Sequence, residues 1–196
     1  MIVGVTGGIG AGKSTVCTIF SIIKIPVYNS DFRAKWLMEN NRELGNRITN
    51  LFGNQSYNDG KINREFLARE VFNDTDKLAK LNDLVHPSIN RDFSAWVQCH
   101  LTNPYVIKEA ALLFETGTYK IMDCVINVQA NENTRIQRIL KRDNWRTTAQ
   151  IQAIIKNQFD DQKRSELADL RIINDDSELV IPQVLKLHNN FLQKRG

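Results

Sequence analysis

The sequence contains few cysteines and no long apolar run. Its three cysteines, Cys17, Cys99 and Cys124, are odd in number and form no Cys-x-x-Cys pair, so neither a disulfide framework nor a zinc site is indicated. No apolar segment approaches the roughly 20 residues of a membrane-spanning helix, and the first residues show no basic segment or cleavage site. We find no internal repeat and no low-complexity tract. These absences predict a protein of the reducing cytoplasm with no membrane partner.

The charge balance and the length limit the partners and the architecture. Lys and Arg number 26 against 22 Asp and Glu, a formal net charge of +4 over 196 residues. This small excess suits an anionic small molecule better than a nucleic acid. A chain of this length can bury a sizeable core in one α/β domain with insertions, and two full domains are not expected. The sequence leaves the oligomeric state open.

A glycine-rich segment near the N-terminus is the strongest motif. Residues 7–14 read Gly-Gly-Ile-Gly-Ala-Gly-Lys-Ser and match GxxxxGK[ST], after a strand-like run at 2–6 and before a helical pattern over about 13–23. Glycines leave backbone N–H groups free to surround a phosphate, and a helix N-terminus favours negative charge. Lys13 is expected to reach the β- and γ-phosphates of a nucleotide, and Ser14 to hold Mg²⁺. The alternative is a glycine-rich turn without function, which the flanking strand and helix argue against.

The rest of the chain reads as an interrupted α/β pattern. Short apolar runs at 25–28, 105–110, 124–128 and 170–173 are typical of buried strands, and the strand-helix-strand start predicts a parallel sheet. Residues 31–100 are mostly helical and too long for a simple crossover, so we interpret them as a helical insertion. A basic helical stretch covers about 131–165, and a last helix is expected to begin after a Ser177 cap.

Three residues outside the loop are candidates because ligands of parallel sheets bind beyond the carboxyl ends of the strands. Asp31 follows the second strand and could orient or deprotonate an acceptor hydroxyl if that strand lies near the first, although an Asp here also suits a helix N-cap. Glu115 ends the apolar run 111–115, which either lines a pocket or is core with a solvated Glu. His86 precedes Pro87, which is expected to interrupt a helix, and it could contact an anionic substrate or be structural.

Arginines recur in the basic stretch. Arg138, Arg142 and Arg146 would share one face if the helix continues through all three. Facing a bound triphosphate, they would neutralise charge on the transferred group. The alternative is a solvated helix face. In a chain with a phosphate-binding loop, we interpret the arginines as part of a lid.

These features occur together in an order that resembles one family. The residues concerned are Thr6 to Thr15, Asp31 with Ala34, His86-Pro87, Leu112-Leu113-Phe114-Glu115, Arg138 with Arg142, Gln158, Ala168-Asp169 and Asn174. In this order and spacing they are similar to the dephospho-CoA kinase family, from Val3 to about the C-terminal helix.

The resemblance implies an α/β fold of the P-loop kinase type, in three layers with a mostly parallel five-stranded sheet. The core would comprise 1–30, 101–130 and 166–196, with a helical substrate-binding insertion over about 31–100 and a helical lid over about 131–165. The implied reaction is transfer of the γ-phosphoryl group of ATP, with Mg²⁺, to the ribose 3′-hydroxyl of dephospho-CoA. This is the last step of coenzyme A synthesis.

The resemblance also implies roles for individual residues. Lys13, Asp31 and Arg142 would be catalytic, with Asp31 orienting or deprotonating the 3′-hydroxyl. The implied ATP-binding residues are Gly8, Gly10, Ala11, Gly12, Lys13, Ser14, Thr15, Arg138 and Asn174, the last near the adenine. Ser14, or Thr15, would hold Mg²⁺. The implied substrate-binding residues are Thr6, Asp31, His86, Leu113 and Glu115.

Three positions depart from the pattern of that family. The family usually has two aspartates where this chain has Asn29-Ser30-Asp31, so a carboxylate that could assist Mg²⁺ is replaced by an amide. It tends to have Asp-x-Pro where this chain has Glu109-Ala110-Ala111, which keeps the acid one methylene longer. A glutamine is common where Arg135 stands, and the sequence suggests no consequence for that change.

Two other functions compete with this interpretation. Another small P-loop kinase, acting on a nucleoside, a nucleotide or a metabolite such as shikimate, would share the loop and the lid. A GTP-dependent switch would share the loop, but its guanine selectivity usually comes with an Asn-Lys-x-Asp segment, which this sequence does not contain.

Overall fold

The computed structural model describes residues 1–72 and 74–193. In chain order the strands are β1 (Ile2–Thr6), β2 (Val27–Asn29), β3 (Tyr57–Asn58), β4 (Lys61–Ile62), β5 (Val106–Glu109), β6 (Cys124–Gln129) and β7 (Leu170–Ile173). The α-helices are α1 (Lys13–Ile22), α2 (Ser30–Asn40), α3 (Arg42–Phe52), α4 (Arg64–Phe72), α5 (Thr75–Gln98), α6 (Glu132–Arg142), α7 (Thr148–Lys156), α8 (Asp161–Leu167) and α9 (Val180–Gln193). The chain divides into two compact units: Met1–Asn29 with the chain from His100 onward, and Ser30–Cys99. Within the two described ranges, no helix is long and apolar enough to cross a membrane.

A five-stranded sheet with the order β2-β5-β1-β6-β7 forms the centre of the first unit. Every neighbouring pair in it is parallel, which confirms the α/β class and the sheet predicted from the sequence. β2 pairs with β5, so β5 lies between the first two strands of the chain. Because parallel strands end at the same edge, the carboxyl ends of β1, β2 and β5 lie side by side there.

The alternation of side chains along the strands builds two layers against the sheet. Val3 and Val5 of β1 belong to a core cluster with Val16 and Phe20 of α1 and with Phe191 of α9. The intervening Gly4 faces the other way, where an added Cβ would lie 2.7 Å from Leu113 Cδ2. Since successive side chains of a strand point to opposite faces, both faces of the sheet are covered.

The second unit has a core of its own. Helices α2 to α5 and the antiparallel hairpin β3-β4 surround a separate apolar cluster. Its buried residues are Leu37, Leu44, Ile48, Ile62, Leu67 and Val85. The hydroxyl of Tyr57 donates to the Met38 carbonyl oxygen at 2.6 Å, which ties the hairpin to α2.

The expected helix interruption at Pro87 is wrong. Pro87 lies inside the continuous helix α5. An interior proline costs about 3 kcal/mol because it removes one backbone hydrogen bond. Val85, Ser88 and Phe93 of the same helix are buried, and burial of this face stabilises the helix across the proline.

Two further helix boundaries differ from the sequence-based expectations. The basic stretch forms three helices, and α6 ends at Arg142. The next residue, Asp143, has φ −114° and ψ 68°, outside the helical region, and its carboxylate accepts hydrogen bonds from Arg142 and Arg146. The last helix begins at Val180, since Ser177 donates to Asp175 through its backbone N–H and its hydroxyl and caps no helix.

Candidate active site

The glycine-rich loop connects β1 to α1. Gly12, the residue before α1, has φ +92°, and Gly10 has φ +80°. L-residues rarely adopt such angles, so these positions favour glycine. A Cβ on Gly12 would also lie 2.0 Å from Asn174 Nδ2. The loop is therefore tightly enclosed by distant parts of the chain.

Lys13, the first residue of α1, lies against the loop itself. Its ammonium donates to the carbonyl oxygens of Gly7 at 2.9 Å and Gly8 at 3.3 Å. The nearby Cys17 thiol is buried, and burial together with the Glu109 charge raises its pKa well above the usual range, while Lys13 opposes the rise. Cys17 is thus a protonated core residue whose pKa is influenced by the charges of both Lys13 and Glu109.

Side chains from the C-terminal third of the chain hold the loop. The backbone N–H of Ile9 donates to Gln158 Oε1 at 2.8 Å. Asn174 Nδ2 donates to the Ala11 carbonyl oxygen at 2.8 Å. Arg138 Nη1 donates in turn to the Asn174 carbonyl oxygen at 2.7 Å. Of the residues named in the resemblance, Gln158 and Asn174 contact the loop directly, and Arg138 contacts Asn174.

Arg142 and Arg146 both pair with Asp143. Arg142 forms two hydrogen bonds of 2.9 Å with Asp143, and its side chain is 64% exposed. This pairing raises the pKa of Arg142 and lowers that of Asp143. Arg146 follows the end of α6, so the expectation of one helical face carrying Arg138, Arg142 and Arg146 is wrong.

Two buried arginines beside the loop carry no role in the sequence-based assignment. Arg135 and Arg164 are 1% and 2% exposed. A Cβ on Gly8 would lie 2.0 Å from Arg135 Nη1 and 3.0 Å from Arg164 Nη2. The departure of Arg135 from the usual glutamine was the available signal, but the sequence alone gave no means of knowing that its side chain is buried.

Oxygen donors suited to Mg²⁺ are present at the start of α1 and the end of β5. Ser14 is an exposed residue in the first turn of α1. Asn29 Nδ2 donates to Glu109 Oε2 at 2.6 Å, across the register that pairs these residues. Hydroxyl and carboxylate oxygens are ligands that Mg²⁺ prefers. The departures at 29 and 109 therefore form one hydrogen-bonded pair, with the negative charge on Glu109.

Three of the residues expected to bind substrate belong to the first unit. Thr6 ends β1, is fully buried, and among the described residues has no hydrogen-bond partner for Oγ1. Leu113 is fully buried in a cluster with Phe114. Glu115 Oε1 accepts the backbone N–H of Phe159 at 2.8 Å. Its carboxylate therefore anchors the segment between α7 and α8, and the solvated cap considered from the sequence is wrong.

Asp31 and His86 belong to the second unit. Asp31 is exposed and is the second residue of α2. The N-cap interpretation of Asp31 is therefore wrong, although a carboxylate in the first turn is favourable with the helix dipole. His86 is half-buried in the middle of α5.

The fold and the site together define a class of protein. A parallel sheet carries a phosphate-binding loop between a central strand and a helix, with a lysine at the loop's end and arginines beside it. This is the arrangement of a P-loop kinase. A family model described as dephospho-CoA kinase matches residues 1–180, so the chain belongs to the dephospho-CoA kinase family.

Relatives and solved structures agree with that assignment. The chain is 33% identical to a dephospho-CoA kinase of Porphyromonas gingivalis, covering 98% of this chain and 95% of the relative. It is 35% identical to that of Pasteurella multocida, with the same coverage. The crystal structure of TT1252 from Thermus thermophilus is similar with a TM-score of 0.87 and 29% identity, covering 98% of this chain and 97% of the other.

More distant structures share the fold. Dephospho-CoA kinase from Campylobacter jejuni has a TM-score of 0.73 at 24% identity, covering 100% of this chain and 98% of the other. Shikimate kinase from Aquifex aeolicus has a TM-score of 0.53 at 16% identity, covering 98% and 99%. Both confirm the α/β architecture with its parallel sheet.

We predict that Gly12→Ala abolishes most nucleotide binding. The added methyl group would lie 2.0 Å from Asn174 Nδ2, at a φ of +92° that L-residues rarely adopt. Isothermal titration with ATP measures the loss, which we expect to be at least about tenfold in Kd.

The matched control is Gly53→Ala. Gly53 has a similar φ of +88°, but nothing lies within 4 Å of its Cβ position. It should lose about 1 kcal/mol of stability from backbone strain and keep its ATP affinity. Equal ATP affinities of the two variants would show that the Asn174 contact is unimportant.

Proposed function

We propose that this member of the family transfers the γ-phosphoryl group of ATP to the ribose 3′-hydroxyl of dephospho-CoA, giving CoA and ADP. The observation that carries the proposal is the family match across residues 1–180, which includes the phosphate-binding loop. The relatives from Porphyromonas gingivalis and Pasteurella multocida carry the same name over nearly their whole length. The reaction is the ATP-dependent, final step of coenzyme A biosynthesis.

The loop and its supporting side chains are assigned to ATP. The loop residues Gly8, Gly10, Ala11 and Gly12 would surround the phosphates, with Lys13, Ser14 and Thr15 at the start of α1. Lys13 supports this because its ammonium already lies on the loop. Arg138 and Asn174 support it because they form a hydrogen-bonded chain to the Ala11 carbonyl.

Mg²⁺ is assigned to Ser14 at the start of α1. When bound, the ion would supply positive charge that neutralises charge on the transferred group. Glu109 supports this because the hydrogen bond from Asn29 orients its carboxylate at the end of β5. An octahedral Mg²⁺ keeps several waters and needs few protein ligands.

The remaining residues are assigned to the acceptor. Asp31 would orient or deprotonate the 3′-hydroxyl, and Arg142, from a lid over about 131–165, would stabilise the transferred phosphoryl group. The residues assigned to contact dephospho-CoA are Thr6, His86, Leu113 and Glu115. Leu113 and Glu115 would do so through backbone that their side chains hold in place, as Glu115 holds Phe159. The insertion over about 31–100 would bind the acceptor.

The proposed setting is the cytoplasm. Cys17, Cys99 and Cys124 are free thiols, as expected in a reducing compartment. The small-molecule partner, dephospho-CoA, is the only partner that the proposal requires.

A steady-state assay tests the substrate. Purified protein with ATP and Mg²⁺ is given dephospho-CoA, adenosine, AMP, dCMP or shikimate as acceptor. We expect turnover with dephospho-CoA and at most trace turnover with the others. Turnover with another acceptor but not with dephospho-CoA would replace this function by that of a different small kinase.

We predict that Asp31→Asn lowers kcat with dephospho-CoA by roughly 10² to 10⁴, with a smaller change in ATP affinity. The amide cannot accept the hydroxyl proton. The matched control is Asp83→Asn, which removes an exposed carboxylate from α5 of the same unit. An unchanged kcat in Asp31→Asn would reduce Asp31 to a charge at a helix N-terminus.

We predict that Arg142→Ala lowers kcat by at least about tenfold and raises the KM for ATP less, because a lid arginine acts mainly in the transition state. Lys141→Ala, which removes the adjacent exposed cation of α6, should leave both values unchanged. A change in KM alone would mean that Arg142 binds ATP equally in the ground state and the transition state.

A further inference from the structure

Two guanidinium groups are buried beside the phosphate-binding loop and share one carboxylate. Arg135 Nη2 pairs with Asp161 Oδ2 at 3.0 Å, and Arg164 Nη2 pairs with Asp161 Oδ1. Arg164 Nη1 also donates to the Phe159 carbonyl oxygen. Asp161 is at the N-terminus of α8 and is 57% exposed, whereas both arginine side chains are 2% exposed. Both guanidinium groups lie beside Gly8 of the loop, where an added Cβ would be 2.0 Å from Arg135 Nη1 and 3.0 Å from Arg164 Nη2.

The cluster has more hydrogen-bond donors than acceptors. Among residues 1–72 and 74–193, none accepts a hydrogen bond from Nε or Nη1 of Arg135 or from Nε of Arg164. Buried charged donors without partners are costly. Burial lowers the pKa of Arg135, Asp161 and Glu132 oppose this, and Arg164 adds to it. Two buried cations thus share a single hydrogen-bonded carboxylate, and three of their guanidinium nitrogens have no acceptor within the described residues.

The position of the cluster identifies the class of ligand that would satisfy it. Arg135 lies along the loop. A Cβ added to Gly10 would be 2.7 Å from the Arg135 carbonyl oxygen, and a Cβ added to Gly8 would be 2.0 Å from Arg135 Nη1. The absence of side chains at 8 and 10 lets the arginine approach the loop backbone. Guanidinium groups bind phosphate oxygens through paired hydrogen bonds. The nucleotide's phosphates are the anions that this loop receives.

We propose that Arg135 is a phosphate-binding residue of this kinase, and that Asp161 is the internal anion that holds Arg135 and Arg164 until the nucleotide binds. The inference rests on the proposed function only in that a nucleotide binds at the loop. The competing explanation is a structural clasp, in which Arg135, Asp161 and Arg164 fix α6 to α8 and contact no ligand. The two explanations predict opposite effects at Asp161.

Nucleotide titration with two variants tests the proposal. Arg135→Gln should weaken the binding of ATP and of inorganic tripolyphosphate by about tenfold or more, since charge-assisted hydrogen bonds are lost. Asp161→Asn should bind both ligands more tightly than the wild type, because an internal competitor for the arginines is removed. Lys141→Gln, an exposed cation removed from the same helix, is the matched control and should bind as the wild type does.

Thermal unfolding of the same proteins separates the ligand role from the clasp. Asp161→Asn should lower the Tm without ligand, because two buried guanidinium groups lose their carboxylate. ATP should then raise its Tm by more than it raises that of the wild type. Asp161→Asn distinguishes the two explanations even if Arg135→Gln fails to fold. Structural damage would weaken ATP binding, whereas the proposal predicts that ATP binds more tightly.

The proposal is overturned if Asp161→Asn and Arg135→Gln both weaken ATP binding, or if neither changes it. These titrations contain no dephospho-CoA. Suppose the wild-type protein fails to phosphorylate dephospho-CoA, while Arg135→Gln weakens ATP binding and Asp161→Asn strengthens it. The proposed function is then refuted and this inference stands. If the kinase activity is normal and the ATP affinity of both variants equals that of the wild type, this inference is refuted and the proposed function stands.

Discussion

The first unit depends on side chains from the C-terminal third of the chain that fix the backbone of the phosphate-binding loop. Ile9 donates its N–H to Gln158, and Ala11 accepts from Asn174. A glycine-rich loop has little conformational preference of its own and loses much entropy when it is fixed. These hydrogen bonds offset that cost, and they hold Asn174, after β7, and Gln158, after α7, against the loop backbone. The loop is thereby fixed by hydrogen bonds between residues 149 and 163 positions apart in sequence.

Much of the site followed from local sequence, and the rest did not for identifiable reasons. The loop and the five strands were predicted because glycine spacing and short apolar runs are local signals. Pro87 was misinterpreted because burial on the core side of α5 outweighs a local proline effect. The partners of Arg135 and Arg164 were not predicted, since a basic residue in a polar helix shows no sign of burial until its neighbours in space are known.

Charged groups of the first unit are held by neighbouring side chains, either from another element or from the same helix. Asn29 of β2 donates to Glu109 of β5, which explains how two departures from the family pattern coexist. Asp161 of α8 contacts arginines from α6 and α8. Each pairing sets the orientation of a charged group before substrate arrives. Such orientation in advance is the main contribution that a protein makes to phosphoryl transfer, since little covalent chemistry is required of it.

The most direct test of the account follows the phosphoryl group itself. Protein, Mg²⁺, dephospho-CoA and ATP labelled in its γ-phosphate are incubated, and the products are separated and identified by mass spectrometry and phosphorus NMR. The account predicts that the label appears in the 3′-phosphomonoester of CoA, in amounts equal to the ADP formed. Label found only in inorganic phosphate, or in a product other than CoA, would contradict it.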